Sequence, residues 1–431
     1  MSEGKGLFQF GTELVFAEPS WYQFFDSPYY TEKHRKWREQ IRRFVDAELR
    51  PHAATWEENY ITKGEEMPLD FIAKAYQAGI YSPMWPAKYG GTPPEGGWDA
   101  FMDLIWCDEM ARSGCSGVGS VFSIPTMALP LLMQSKNEFA ITRVAPDVLR
   151  GTKMIALAVS EPYAGSDVAN IRATAAKQPD GSYILNGEKK WITLGIWADY
   201  FIVAARTGEA GHKGLSIFLV EKTWPGVRTQ RMKLMGHWCS GTAMVFFENV
   251  KVPATHLLGP ENKGFKLIMF NFNHERFCIA VQSNRGSREL LSMSMAYAQK
   301  RKTFGKTLIQ HQVIRQKLAD MSMRVESTHA LIENVTYQMQ QGAPAEKLGG
   351  ISALLKVLAT RTLEFCVREA SQIFGGSSFV RGGVGAGVER AARDLRGAAV
   401  PGGSDEILAD LAIRQAMVLT MRNELEKGAK L

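Results

Sequence analysis

Cysteine is scarce: Cys107, Cys115, Cys239, Cys278 and Cys366 are the five among 431 residues. They are widely scattered with no pair at metal-ligand spacing, so they read as reduced, mostly buried thiols. The eight histidines include no His-x-x-x-His pair and no His/Cys cluster, so no metal site is proposed. No apolar run reaches the roughly eighteen residues needed to cross a bilayer, because Gly, Pro or a charge interrupts each one. A soluble chain without a membrane partner is expected. No Gly-x-Gly-x-x-Gly opens a helix after a strand, which leaves a Rossmann nicotinamide site unsupported. Internal repeats and low-complexity segments are also missing.

What is present is an ordinary globular composition long enough for two or three domains. The formal charge of +7 is spread along the chain. It fits an anionic ligand or a solvated basic surface equally well, and nucleic acid is not expected as a partner. Met1-Ser2-Glu3-Gly4-Lys5-Gly6 lacks the features of a signal peptide, and Glu3, Glu13 and Glu18 argue against a transit peptide.

The pattern along the chain is helical, then β, then helical: an α+β protein. Residues 1–30 carry aromatics with little periodicity and read as an extended arm laid on the body. Residues 31–152 read as a helical domain. Within it Trp37, Ile41, Phe44, Val45 and Leu49 form an amphipathic stripe that Pro51 is expected to help terminate. Residues 153–262 switch to short strands, including Ile155–Val159, Tyr200–Ala204, Leu215–Val220 and Met244–Phe247. Tyr183-Ile184-Leu185 and Trp191-Ile192-Thr193 read as a hairpin joined through Asn186-Gly187. Residues 263–431 return to helices, and the apolar stripes Ile314, Leu318, Met321, Val325 and Ile351, Leu355, Leu358, Phe365 indicate a bundle core. Ser404 caps the last helix, with Asp405 and Glu406 in its first turn.

Five segments in order carry a resemblance. They are Glu161-Pro162-Tyr163-Ala164-Gly165-Ser166-Asp167, Trp191-Ile192-Thr193, Arg301-Lys302-Thr303-Phe304-Gly305, His311-Gln312 and Gln372-Ile373-Phe374-Gly375-Gly376. Together they resemble the acyl-CoA dehydrogenase family from about residue 31 onward. The resemblance implies an N-terminal helical domain, a middle β-domain and a C-terminal four-helix bundle. It further implies FAD as cofactor. Expected FAD contacts are Leu157, Val159, Ser160, Gly165, Ser166, Trp191, Ile192, Thr193, Arg301, Thr303, Phe304, His311, Gln312, Gln372, Ile373, Gly375, Gly376, Ser404 and Glu406. Arg301 and the Gln372–Gly376 segment are expected to reach FAD from different subunits, making the protein a homo-oligomer, usually a tetramer in this family.

The family's reaction needs a base for the α-proton of an acyl thioester. Many members place a Glu before a Gly-Thr/Ser segment at the start of the last helix, where this chain has Gly402. Members such as the isovaleryl-CoA and long-chain enzymes carry it instead in a Glu-Arg pair on an earlier helix. That pair is Glu275-Arg276 here, so the resemblance makes Glu275 the base, with a pKa expected to be raised by burial. The Gly402 backbone N–H is expected to donate to the thioester carbonyl. Ser166, Asn273, Arg276 and Gly403 are the expected substrate contacts, with Asn273 standing where Asp is common. Ala243 stands where the family has an Arg, which leaves that contact without its side chain.

The expected activity is FAD-dependent formation of a trans-2-enoyl-CoA, with electron-transferring flavoprotein or oxygen taking the electrons. A flavin oxidase or monooxygenase on the same scaffold is the alternative, followed by a flavin-bearing nucleic-acid binder. The ending Ala429-Lys430-Leu431 resembles a peroxisomal address, expected to act if the source is eukaryotic; otherwise a cytoplasmic location is expected.

Overall fold

An eight-stranded sheet is formed by β1 Ile155–Ala158, β2 Thr174–Lys177, β3 Tyr183–Ile192, β4 Tyr200–Arg206, β5 Leu215–Glu221, β6 Val227–Arg231, β7 Ala243–Val252 and β8 Leu257–Leu258. The computed structural model describes residues 11–428 except 13, 24 and 123. Ala429-Lys430-Leu431 lies outside the described residues. The strand order is β6-β7-β3-β2-β4-β5-β8, with β1 paired parallel to β4 from Ile155↔Tyr200 to Ala158↔Val203. β4 and β5 are buried on both faces, which is why they read as unbroken apolar runs. Leu185, Phe201, Val203, Phe218, Val245 and Phe247 are among the side chains filling the core against them.

The expected Asn186-Gly187 hairpin is not there. β3 runs straight through the dipeptide, and its register against β7 shifts between Leu185 and Gly187. The same chemistry that suits a tight turn suits this bulge. Gly187 has φ +139°, and a Cβ there would lie 2.6 Å from Ala173 Cβ. Asn186 spans to Asn249 by its amide, accepting from the Asn249 N–H at 2.8 Å and donating to Asn249 Oδ1 at 3.2 Å.

By contacts the chain gathers into two units that interleave along the sequence. One contains the sheet with Asp46–Trp98 and Cys115–Glu275. The other contains Met1–Val45, Asp99–Gly114 and Arg276–Leu431, as far as these are described. Helix Gly264–Lys300 therefore contributes to both.

The second unit is helical. Glu32–Phe44 starts at Thr31, whose N–H donates to His34 Nδ1 at 2.9 Å in a capping box. Ala100–Met110 starts at Asp99, which accepts from Met102 N at 2.9 Å. Helices Gln312–Gln340, Ala345–Phe374, Ala386–Ala399 and Asp405–Gly428 complete it. Leu290, Leu291, Leu318, Met321, Val325 and Cys366 share their common core. Phe365 and Ile314 pack against its edge.

One expectation about the N-terminal part is corrected. Pro51 does not end the first long helix. That helix passes into a π turn at Val45–Leu49, and Pro51 sits in the first turn of helix Arg50–Lys63, where a missing N–H costs nothing. The described part of the arm packs against the body, as its aromatics lead one to expect. Ala17, Glu18, Trp21, Tyr22 and Tyr30 are buried, with Trp21 stacked on Tyr30 at 3.8 Å. Glu18 accepts from Arg42 at 2.7 and 3.0 Å and from Arg285 at 2.9 Å. Glu109 accepts from Arg38 at 3.1 Å and from Arg42 Nε at 2.9 Å. The arm thus supplies one of the carboxylates that neutralise buried arginines, a role no apolar pattern announces.

Candidate functional site

In the sheet unit the expected cofactor loop leaves the end of β1. Val159 and Glu161 are buried, Leu157 and Ser160 half-buried, and Pro162, Tyr163, Gly165 and Ser166 exposed. Its shape is set at the base, where Glu161 and Ala164 exchange backbone hydrogen bonds of 3.0 and 3.2 Å. A Cβ on Gly165 would meet nothing within 4 Å, so the backbone faces open space.

The Trp-Ile-Thr segment lies beside this loop, tied to it by a Lys190 N–H bond to the Ser160 carbonyl at 2.9 Å. A second register shift against β7, between Lys189 and Ile192, coincides with a left-handed Trp191 at φ +68°. The bulge turns the indole outward, 54% exposed, while Ile192 stays in the core and Thr193 is exposed. Leu194 is left-handed too, at φ +63°. Two non-glycine residues in that region within four positions are a costly local geometry, of a kind concentrated at ligand sites.

The loop and strand are joined underneath by a pair that sequence reasoning missed. Lys189 Nζ lies 2.8 Å from Glu161 Oε1 and 3.0 Å from the Val159 carbonyl, with both side chains buried. Burial pulls the lysine pKa down to about 8 against the opposing pull of Glu161. The signal was available: Lys189 occupies an inward-facing position of β3.

Farther along the chain, in the helical unit, Arg301 and the Gln372–Gly376 segment come together. Tyr297 stacks on Phe374 at 4.2 Å and 14°, and a cavity of about 400 Å³ is lined by Met293, Tyr297, Lys300, Arg301, Phe374 and Val384. One chain presents Arg301 and, from the Gln372–Gly376 segment, Phe374 on this one cavity. Gly375, at φ +58°, caps helix Ala345–Phe374, and a Cβ on Gly375 or Gly376 would meet nothing within 4 Å. Phe304 stands at a hairpin tip, left-handed and 96% exposed. Thr303 Oγ1 lies 3.3 Å from His311 Nε2, and Gln312 opens helix Gln312–Gln340. Gln372 is exposed and Ile373 buried.

The same unit builds the turn at Pro401–Ser404. Arg276 Nε donates to the Gly402 carbonyl at 2.9 Å. Lys356, fully buried, donates to the Gly403 carbonyl at 2.9 Å and also to the Ala399 carbonyl. This lysine was missed because it interrupts a helix face otherwise read as apolar core. Gly402 and Gly403 have φ of +70° and +113°. Asp405 is held by Arg361 at 3.0 Å. Hydrogen bonds from its own backbone N–H and from Ser404 lower the Glu406 pKa. Asn273, His274 and Glu275 are half-buried on helix Gly264–Lys300, with His274 Nδ1 3.3 Å from the Thr126 carbonyl in the sheet unit.

Profiles described as the N-terminal, middle and C-terminal domains of acyl-CoA dehydrogenase match residues 31–152, 156–250 and 262–417. An acyl-CoA dehydrogenase of Emericella nidulans is 40% identical over 97% of this chain and 98% of its own length. The chain belongs to the acyl-CoA dehydrogenase family. Its fold also matches a probable acyl CoA dehydrogenase of Mycobacterium abscessus, with TM-score 0.83, 33% identity and coverage of 90% and 99%. An acyl-CoA dehydrogenase of Bacillus anthracis complexed with FAD matches with TM-score 0.83, 25% identity and coverage of 94% and 70%. The family's order of N-terminal helical, middle sheet and C-terminal helical domains is the order found here.

Proposed function

We propose that this acyl-CoA dehydrogenase family member is an FAD-dependent oxidoreductase that converts an acyl-CoA to its trans-2-enoyl-CoA. The observation carrying this reading is the pre-shaped face of Ser160–Ser166 and the outward, left-handed Trp191 beside it. Open backbone and an aromatic wall suit a flat, hydrogen-bonding ring system. The cavity with Tyr297, Phe374, Lys300 and Arg301 suits an aromatic base and an anionic phosphate. These residues fit FAD. When bound, FAD supplies the acceptor for the β-hydride.

The chain supplies the rest. Glu275 takes the α-proton as its carboxylate becomes a carboxylic acid. The Gly402 N–H donates to the thioester oxygen as enolate-like charge builds there. Arg276 and Lys356 hold the turn that presents this N–H by engaging the carbonyls around it. Loss of one proton and one hydride leaves the C2=C3 double bond. The electrons pass on to an electron-transferring flavoprotein or to oxygen. A homotetramer is the proposed assembly, supported by the exposed Phe304 and Phe379 on the helical unit.

Anaerobic titration of the purified protein with straight, branched and aryl acyl-CoAs tests the reading. Flavin bleaching by at least one class is expected. A protein that binds no FAD, or whose FAD no acyl-CoA reduces, would contradict it.

A further inference from the structure

The Lys189–Glu161 pair is placed where a stability role alone explains it poorly. A buried ion pair can often be replaced by apolar side chains of similar volume without loss of stability. Here, however, the polar groups it serves are those of a loop whose other face is exposed. Glu161 accepts from Lys189 at 2.8 Å, from Ala173 N at 2.9 Å and from Arg172 N at 2.5 Å. Lys189 adds the Val159 carbonyl at 3.0 Å. One ammonium thereby joins β3, two residues before Trp191, to Val159 and Glu161 where the loop begins, and the Glu161 carboxylate in turn holds Arg172 and Ala173 beyond the loop's end.

We infer that Lys189 is a positioning residue for the cofactor site, its buried ammonium locking the Ser160–Ser166 loop to the Trp191 strand in the shape that receives the flavin. The inference rests on the FAD reading above. It assigns the lysine's charge, not merely its bulk, to the lock. An ammonium makes charge-assisted bonds to a carboxylate and a carbonyl, and a neutral amine makes weaker ones. Proton loss from Lys189 should therefore loosen the loop and weaken FAD binding. With the lysine pKa near 8, that loosening falls within a measurable range.

Glu161 is the charged side chain acting on Lys189. Across the sheet, β7 offers Val245 opposite it. Lys190 on β3 lies over the Trp191 ring, and Arg172 over the Tyr163 ring, each 4.7 Å away. Asp167, on the loop, is exposed and bonded to Asn170.

The test is FAD affinity of deflavinated protein from pH 6.5 to 9.5, read by quenching of flavin fluorescence, in wild type, Glu161→Gln, Lys189→Met and the double variant Glu161→Gln/Lys189→Met. Wild-type affinity should fall about tenfold as pH rises through about 8. Glu161→Gln removes the charge that supports the ammonium, so its midpoint should move at least one unit lower. The double variant leaves no unpaired buried charge, so it keeps the fold if Lys189→Met does not. It should bind FAD weakly with no transition near pH 8. Wild-type binding that is flat across this range, an unmoved midpoint in Glu161→Gln, or wild-type affinity in the folded double variant would overturn the lock. Failure of wild type to bind FAD at all would instead overturn the FAD reading.

Discussion

The Arg276 guanidinium reaches across to Gly402 and donates to its carbonyl at 2.9 Å. The residue directly after the proposed base thus holds the position where many relatives carry theirs. This contact anchors the carbonyl side of Gly402 and so holds the turn that presents its N–H. Arg276→Gln shortens the reach and should cost about 100-fold in kcat, the scale of a small misplacement in a catalytic site. Steady-state kinetics normalised to bound FAD will show it, and an unchanged kcat would detach Arg276 from the turn's function.

Lys356 carries a structural share of the same turn. Lys356→Met leaves the Gly403 and Ala399 carbonyls without this donor. A loss of about 2 to 4 kcal/mol in unfolding free energy is expected. Urea denaturation measures it, and a change below about 0.5 kcal/mol would mean that the carbonyls find other donors as readily.

Moving the base is harder than the sequence suggests. Gly402→Glu in a Glu275→Gln background restores a carboxylate, but at φ +70°. The new Cβ would also lie 3.0 Å from Ile279 Cδ1. Left-handed strain of about 1 to 2 kcal/mol follows. Only part of the flavin-reduction rate should return, and more for short straight acyl chains than for long or branched ones. Equal recovery across a chain-length series would contradict the placement of this side chain near the acyl group.

The buried arginine cluster makes an acid prediction. Despite burial, Arg42, Arg38 and their neighbours hold the Glu109 carboxyl down at about 2, and Arg285 with Arg42 lowers that of Glu18 as well. Each folded pKa is below its unfolded value, so the stabilisation is complete above about pH 4.5 and is lost as pH falls toward 2. Glu109→Gln should lose about 3 to 5 kcal/mol at pH 7 by leaving buried cations uncompensated. The gap between the two proteins should narrow on acidification. Thermal unfolding from pH 7 to 3 checks both, and a gap that widens toward low pH would refute the assignment.

What was legible in the sequence follows from which signals are local. β4 and β5 announced themselves as apolar runs, whereas β2 and β6 are short and largely polar, so nothing marked Thr174–Lys177 or Val227–Arg231 as strands. Asn186-Gly187 was misread because a left-handed glycine serves a turn and a bulge alike. The expected cofactor loop and the Trp191, Arg301 and Gly375 segments were singled out by their resemblance to a family. The pairing of Glu161 with Lys189, and Lys356, were not. A charged residue in an apolar pattern declares its function only once its partners are known, and those lie elsewhere in the chain.

The central claim is that Glu275 takes the substrate's α-proton. Glu275→Gln preserves shape while removing the acceptor, so flavin content should remain at the wild-type level. Anaerobic stopped-flow mixing with the acyl-CoA that best bleaches the wild-type flavin is the direct measurement. The account predicts flavin reduction slowed by about 100-fold to 10,000-fold. Reduction near the wild-type rate would contradict it and place the base elsewhere.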